Sequence, residues 1–202
     1  MLEMRKARPS DVGAMLALIN EYATRGIMLP RTEFELCENL RDFTVAYEGE
    51  RLVGCGALHF YTPQTAELRS LAVVEHRKSA GVGRKVVDAI VKEARDFGLD
   101  LVFAFTYVVG FFEKCGFVVV DRGSLPLKAW KDCLRCPKFS SCDETAVVYL
   151  LSPDAMAHTH MDAARGLIEI TPLSSAWNAP PASGEEPILM PTPAPGLSTQ
   201  RR

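Results

Sequence analysis

The sequence predicts an α/β fold, a mixed sheet with helices on both faces. Three observations predict it. Apolar stretches of strand length alternate with helical patterns in the order β-α-α-β-β-β-α-β-α-β-β. Glu48-Gly49-Glu50 separates two strand patterns and reads as a hairpin turn. Residues 71–95 pass from an apolar run through a glycine-containing turn into an amphipathic helix.

Each element follows from local chemistry. Residues 4–8 read as a strand. Ser10 is placed to cap a helix running to about residue 22, with Val12, Met15, Leu16 and Ile19 at helical spacing. Residues 25–31 form a loop closed by Pro30. Thr32-Glu33-Phe34-Glu35 is a capping-box pattern, so a second helix is expected over residues 33–41. Residues 43–47 and 52–60 are the two arms of the hairpin, and 66–74 is the next strand. A helix over 83–97 carries Val86, Val87, Ile90, Val91 and Ala94 on one side and stops at Gly98. Residues 101–106 read as a buried strand, 109–114 as a short helix closed by Gly116, and 117–120 and 146–151 as two last strands.

Composition bounds the class. With 202 residues there is room for one full domain and a tail, and 48% hydrophobic residues suit a globular core. A net charge of −2 argues against coating nucleic acid. No apolar run of about 18 residues is present, so no membrane-spanning helix is expected. The first residues lack the apolar core of a secretory signal. Six cysteines without an export signal imply a cytoplasmic chain with reduced thiols or a metal. Eight of the thirteen prolines follow Ser152. Residues 152–202 are therefore expected to be a Pro/Ala-rich, disordered tail, and residues 1–151 the working domain.

Residues 78–84 carry the first functional signal. A helix start leaves backbone N–H groups without partners, and the dipole there is positive. Glycine lets such a backbone approach an anion closely. Lys78, Ser79, Gly81, Val82, Gly83 and Arg84 thus read as a pyrophosphate cradle, with a plain tight turn as the alternative.

At these residues a family resemblance appears. Lys78-Ser79-Ala80-Gly81-Val82-Gly83 resembles the Gln/Arg-x-x-Gly-x-Gly/Ala turn of the GNAT N-acetyltransferases, with Lys in the first place. Phe111-Phe112-Glu113-Lys114-Cys115-Gly116-Phe117 is similar to a late segment of that superfamily. Further matches narrow the resemblance to the acetyltransferase domain of the N-acetylglutamate synthase family. They are Asp11, Gly26-Ile27, Arg31-Thr32, Glu35-Leu36, Asp42-Phe43-Thr44, Gly54-Cys55-Gly56-Ala57-Leu58, Ala66 through Val73, and Leu125-Pro126. The resemblance covers about residues 3–151. No amino-acid-kinase stretch lies ahead of it, so it points to the short, single-domain form. It implies a mostly antiparallel sheet and acetyl-CoA as co-substrate, with Leu71, Ala72 and Val73 joining the turn in binding it. It also implies transfer of acetyl to the α-amine of glutamate, the first step towards arginine. Nucleic acid and membrane are not expected partners, and a homodimer is one assembly the sequence allows.

Acetyl transfer to an amine needs a neutral amine, a polarised carbonyl and a proton for the departing thiolate. Glu67, on the strand feeding the turn, is the candidate base. Burial raises a carboxylate's proton affinity towards the working range. The resemblance favours this reading, since related enzymes place a Glu there, over that of a solvated strand-edge side chain. The late-helix position where many relatives carry a Tyr acid is Phe112, which has no proton to give. Thr106 and Tyr107 are the available hydroxyls, and thiolate departure without an acid is the third course. Tyr107 packed on Phe111 is the plain alternative for that residue. Arg31 and Arg69 are candidates for glutamate's carboxylates, since guanidinium pairs bidentately, and Ser70 is grouped with them. Arg69 lies two residues from Glu67, hence on the same strand face. The plain readings are a surface charge for Arg31 and an ion pair with Glu67 for Arg69. The longer synthases carry an Arg just after the Thr106 strand, where this chain has Val108-Val109.

Cys133, Cys136 and Cys142 give a Cys-x2-Cys-x5-Cys spacing, a half-site for structural zinc or a set of reduced thiols. Cys115, His59 or Asp143 would be the fourth ligand. Acceptors other than glutamate are glutamine, another small amine or a protein N-terminus. The rival from another class is a non-catalytic acyl-CoA-binding regulator.

Overall fold

The computed structural model describes residues 1–121, 125, 136, 138, 141–152 and 155. Seven strands form one sheet in the order β1-β2-β3-β4-β5-β7-β6. They are β1 Leu2–Lys6, β2 Phe43–Glu48, β3 Arg51–Phe60, β4 Thr65–Val73, β5 Leu101–Thr106, β6 Val118–Val119 and β7 Thr145–Leu150. Among the elements whose bounds are described, four helices accompany them: α1 Val12–Thr24, α2 Glu33–Glu38, α3 Val82–Asp96 and α4 Val109–Lys114. β4 and β5 pair in parallel, while every other pairing among the described strands is antiparallel. The fold is the mixed, mostly antiparallel sheet that the sequence predicts.

Most element ends fall within one or two residues of expectation, and the departures have local causes. Pro9 opens a 3-10 turn, Pro9–Asp11, so the first strand ends at Lys6 and α1 starts after Asp11 with Ser10 outside the cap. Thr32 and Glu35 form the predicted capping box: Glu35 N–H donates to Thr32 Oγ1 at 3.2 Å and Thr32 N–H to Glu35 Oε2 at 2.8 Å. α2 nevertheless stops at Glu38, where Asn39 leads into a second 3-10 turn, Leu40–Asp42.

Alternation along the strands builds two cores. Ala66, Leu68 and Val73 of β4 face α3, which buries Val82, Val86, Val87, Ile90, Val91 and Ala94 against them, together with Phe112 and Cys115 from α4 and its end. Cys55, Ala57 and Ala72 face the other way, towards Met15, Ile19 and Tyr22 of α1 and Leu36 of α2. Gly56 brings β3 and α3 together: a Cβ there would sit 3.0 Å from both Ile90 Cδ1 and Val86 Cγ1. A smaller cluster around Leu101, Phe103, Ala146 and Val148 continues the second face under β5 and β7.

One buried charge locks the α1 side. Asp11 receives Arg5 through two hydrogen bonds at 2.6 and 2.9 Å, Tyr47 Oη at 2.8 Å and the Arg8 N–H at 2.7 Å. The Arg5 guanidinium holds the Asp11 carboxyl far below the usual range, against the effect of burial.

Of the expected tail, residues 152–202, all but Ser152 and Ala155 lie outside the described residues, as does Cys133.

Candidate active site

The parallel ladder between β4 and β5 is short. Thr65 pairs with Leu101, Ala66 with Val102 and Glu67 with Phe103, and there it stops. Both strands run on, β4 to Val73 and β5 to Thr106. Beyond Glu67 they therefore part, and the β4 edge that faced β5 offers backbone groups to something other than β5.

A bulge shapes that edge. Cys55 pairs with Ala72 while Ala57 pairs with Arg69, so Ser70 and Leu71 stand against Gly56 alone. Ser70 takes a φ of 53°, which a non-glycine residue rarely adopts. The extra residue reverses the alternation. Glu67 and Arg69 share one face, whereas Leu71 and Val73 turn to α3. Cys55 sits under the bulge, its Sγ 3.9 Å from the Ser70 carbonyl, and burial pushes its thiol up to about 12. It is thus an inert packing residue.

Past β4, a 3-10 turn, Glu75–Ala80, leads to Gly81 at φ +75°, the N-cap of α3. Apart from its chain neighbours and its own helix backbone, no heavy atom lies within 4 Å of a Cβ built on Gly81, so the turn is open on that side. The first intrahelical bond runs from Lys85 N–H to Gly81 O, so the Val82, Gly83 and Arg84 amides at the helix mouth have no intrahelical acceptor. Gly83 has a different duty: its Cβ would meet Phe111 Cζ at 3.3 Å and Val73 Cγ2 at 3.4 Å, so its absence seats α3 against α4 and β4. Lys78 lies over the Tyr22 ring at 5.0 Å and pairs with Glu75 at 2.9 Å. Arg84 donates to the Lys114 carbonyl at 2.6 Å, tying α4 to the cradle. Tyr22 Oη donates to the Val73 carbonyl at the end of β4. Ser79 is exposed. Predicted turn residues and the β4 end thus come together around one helix mouth, a geometry suited to a pyrophosphate.

Glu67 is 1% exposed. Tyr61 Oη donates to its Oε2 at 3.2 Å. Across the ladder its partner is His59, whose Nδ1 lies 2.7 Å from Asp42 Oδ2. Arg69 is half-buried and donates through Nη2 to Asn39 Oδ1 at 3.3 Å, while Asn39 Nδ2 is anchored on the Glu35 carbonyl at the end of α2. Arg31 is held through its backbone. Asn20 of α1 accepts from its N–H and donates to its carbonyl, both at 2.9 Å. That pair fixes the α1–α2 loop.

The two candidate acids differ. Thr106 is buried at the end of β5, and its Oγ1 accepts the Val108 N–H at 2.9 Å, which leaves the hydroxyl its own proton to donate. Thr106 lies three residues past Phe103, about 10 Å along the strand from the Glu67 rung. Tyr107 is 38% exposed and meets Lys138, whose Nζ donates to Tyr107 Oη at 3.2 Å and lies 4.8 Å from the ring centre. Desolvation raises the Tyr107 phenol, with the Lys138 contact acting against it. Phe111 packs on Phe112 and over Gly83.

The zinc expectation finds no cluster: among the described residues no group of three or more His, Cys, Asp or Glu is placed to hold a metal. Cys136 and Cys142 are free thiols, Cys133 lies outside the described residues, Cys115 belongs to the α3 core and His59 is engaged with Asp42.

Sequence reasoning missed Tyr61, Asn20, Asn39 and the Asp42–His59 pair as parts of this site. Tyr61 and His59 were reachable in principle, because a hairpin from β3 to β4 in the observed register puts 59 opposite 67. Asn20 and Asn39 carry no such signal, since their partners are set by how α1 and α2 pack.

Comparison with known proteins agrees with this geometry. Residues 15–117 match the acetyltransferase (GNAT) family. An uncharacterised N-acetyltransferase of Chlorobaculum tepidum is 40% identical over 149 residues, 73% of this chain and 96% of that protein. The amino-acid acetyltransferase of Mycobacterium tuberculosis is 36% identical over 135 residues, 65% of this chain and 77% of that one. Among solved structures, the Neisseria gonorrhoeae N-acetylglutamate synthase, complexed with coenzyme A and N-acetyl-glutamate, superposes with a TM-score of 0.68 at 25% identity. That match covers 75% of this chain but 35% of the synthase. A Mycobacterium tuberculosis protein solved with coenzyme A superposes at 0.63 with 28% identity, covering 74% of this chain and 99% of that one. The chain is an N-acetyltransferase, a member of the acetyltransferase (GNAT) family.

Proposed function

We propose that this enzyme moves the acetyl group of acetyl-CoA to the α-amine of L-glutamate, giving N-acetylglutamate for arginine biosynthesis. The observation that carries the proposal is that Glu67 and Arg69 share one face of β4, where β4 and β5 part. A base and a fixed cation for a carboxylate stand side by side there. The relatives named amino-acid acetyltransferase support an amino-acid acceptor, and the synthase solved with N-acetyl-glutamate supports glutamate among them.

The residues present fit acetyl-CoA. The open helix mouth at Gly81 suits its pyrophosphate, and the freed β4 edge at Leu71, Ala72 and Val73 suits the amides of its extended arm. The thioester then lies in the gap between β4 and β5. The acceptor enters from the face of Glu67, with Arg69, and Arg31 on the clamped α1–α2 loop, meeting its carboxylates and Ser70 lining the bulge beside them. Glu67 takes a proton from the ammonium. The amine nitrogen attacks the carbonyl carbon and the C–S bond breaks; the thiolate takes a proton from the Thr106 or Tyr107 hydroxyl, and the second proton that the nitrogen loses on becoming an amide restores that hydroxyl. Thr106 is the better placed, because its hydroxyl is buried and fixed by the Val108 amide while Tyr107 is 38% exposed.

A second acceptor, glutamine, has one observation in its favour. Val108 and Val109 stand where the longer synthases carry an Arg, so one carboxylate contact is missing from the chain after β5. Lys138 brings a cation to the neighbouring Tyr107. A panel of amines with acetyl-CoA, followed by thiol release, tests the assignment: glutamate is expected to be the best acceptor. We place the acetyltransferase domain at residues 1–151 and the protein in the cytoplasm, with the free thiols of Cys37, Cys55, Cys115, Cys136 and Cys142 in support.

A further inference from the structure

We propose that Tyr61 is the positioning residue of the base, its phenol aiming the Glu67 carboxylate and keeping it ready to accept a proton. The inference rests on the reading of Glu67 as base. Four observations carry it. Tyr61 Oη is a hydrogen-bond donor to Glu67, 3.2 Å from Oε2. Its ring is clamped, at 5.4 Å from His59 edge-on and 5.5 Å from Phe103. Its backbone is fixed too, since its N–H donates to the Thr65 carbonyl at 3.0 Å in the β3–β4 turn. The clamp is itself anchored, His59 by Asp42 at 2.7 Å and Phe103 by its place in the parallel ladder.

The consequence is chemical. A hydrogen bond donated to a carboxylate is stronger when the carboxylate is ionised. A carboxylate 1% exposed has lost its water, so a fixed phenol replaces part of that solvation and sets the direction of the second oxygen. Other titratable or charged groups bear on the same face: His59 from β3, Asp42 behind it and Arg69 from β4. β5 contributes the apolar Phe103.

Tyr61→Phe keeps the clamped ring and removes the donor. With acetyl-CoA and glutamate, kcat is expected to fall about tenfold or more in this variant while KM for acetyl-CoA stays within about twofold. 3-Fluorotyrosine at position 61, which keeps the phenol donor, should restore most of the loss. In a Glu67→Gln background the same Tyr61→Phe change should cost little more, because both act through one group. Wild-type kcat in Tyr61→Phe, with only a lower melting temperature, would overturn the proposal and leave Tyr61 a packing residue. A loss that persists in full in the Glu67→Gln background would overturn it as well, since Tyr61 would then act other than through Glu67. Wild-type kcat in Glu67→Gln alone would overturn the assignment of Glu67 as base instead.

Discussion

Glu67 of β4 and Phe103 of β5 form the last rung of the parallel pairing at the centre of the sheet. One residue further along, the two strands have separated. The position that ends the ladder is thus also the position that opens the cleft, and it carries a buried carboxylate. Removing that carboxylate's basicity while keeping its shape is informative. Glu67→Gln should lower kcat about a hundredfold or more with KM for glutamate changed much less, because proton transfer is lost and volume is kept. Steady-state kinetics at pH 7 and pH 9 check this. Wild-type kcat at both would reject Glu67 as the base.

The cradle depends on a backbone conformation. Gly81 sits at φ +75° with nothing near its missing Cβ, so a side chain there meets no clash but does meet strain. Gly81→Val should distort the helix mouth and weaken acetyl-CoA binding by more than tenfold, about 1.4 kcal/mol or more. Calorimetric titration measures it, with circular dichroism to show that the fold persists. Unchanged affinity would remove the phosphate site from this turn.

Arg69 and Arg31 should separate acceptor binding from cofactor binding. A carboxylate brought into the cleft loses water and needs a fixed cation. Arg69→Ala or Arg31→Ala should raise KM for glutamate at least tenfold, about 1.4 kcal/mol, and leave acetyl-CoA affinity nearly unchanged. Initial rates with each substrate varied in turn decide it.

The Asp11 network gives a stability prediction with a definite sign. Arg5 lowers the folded-state pKa of Asp11 below its unfolded value of about 3.9. The stability it adds is therefore complete above about pH 4, and it falls away as the pH drops through the folded value. Asp11→Asn should cost about 3 kcal/mol at pH 7, since it leaves Arg5 without its buried partner. The difference from wild type should shrink on acidification below pH 4. Urea unfolding across pH 2–7 measures both.

What the sequence revealed is what depends on neighbours in the chain. The Thr32–Glu35 capping box, the Gly81 turn and the shared face of Glu67 and Arg69 each follow from spacings of two or three residues. The bulge at Ser70 does not, because nothing in Leu68-Arg69-Ser70-Leu71 marks the residue that must take a positive φ. It arises where Gly56, made small by its contact with α3, faces two residues instead of one. Asp11 was legible as part of a resemblance, while its bond to Arg5 depends on the Pro9–Asp11 turn bringing it back to β1. Tyr61 was passed over because its meeting with Glu67 depends on the hairpin register, which pattern alone does not fix.

The ratio of kcat/KM for glutamate to that for glutamine, with the wild-type enzyme and saturating acetyl-CoA, decides whether glutamate is the acceptor. Glutamine keeps the α-amine and the size and replaces one carboxylate by a neutral amide. If Arg31 and Arg69 meet the two carboxylates, a ratio of about ten or more in favour of glutamate is expected, a difference of about 1.4 kcal/mol. Faster turnover of glutamine, or of an uncharged amine, would contradict the glutamate assignment.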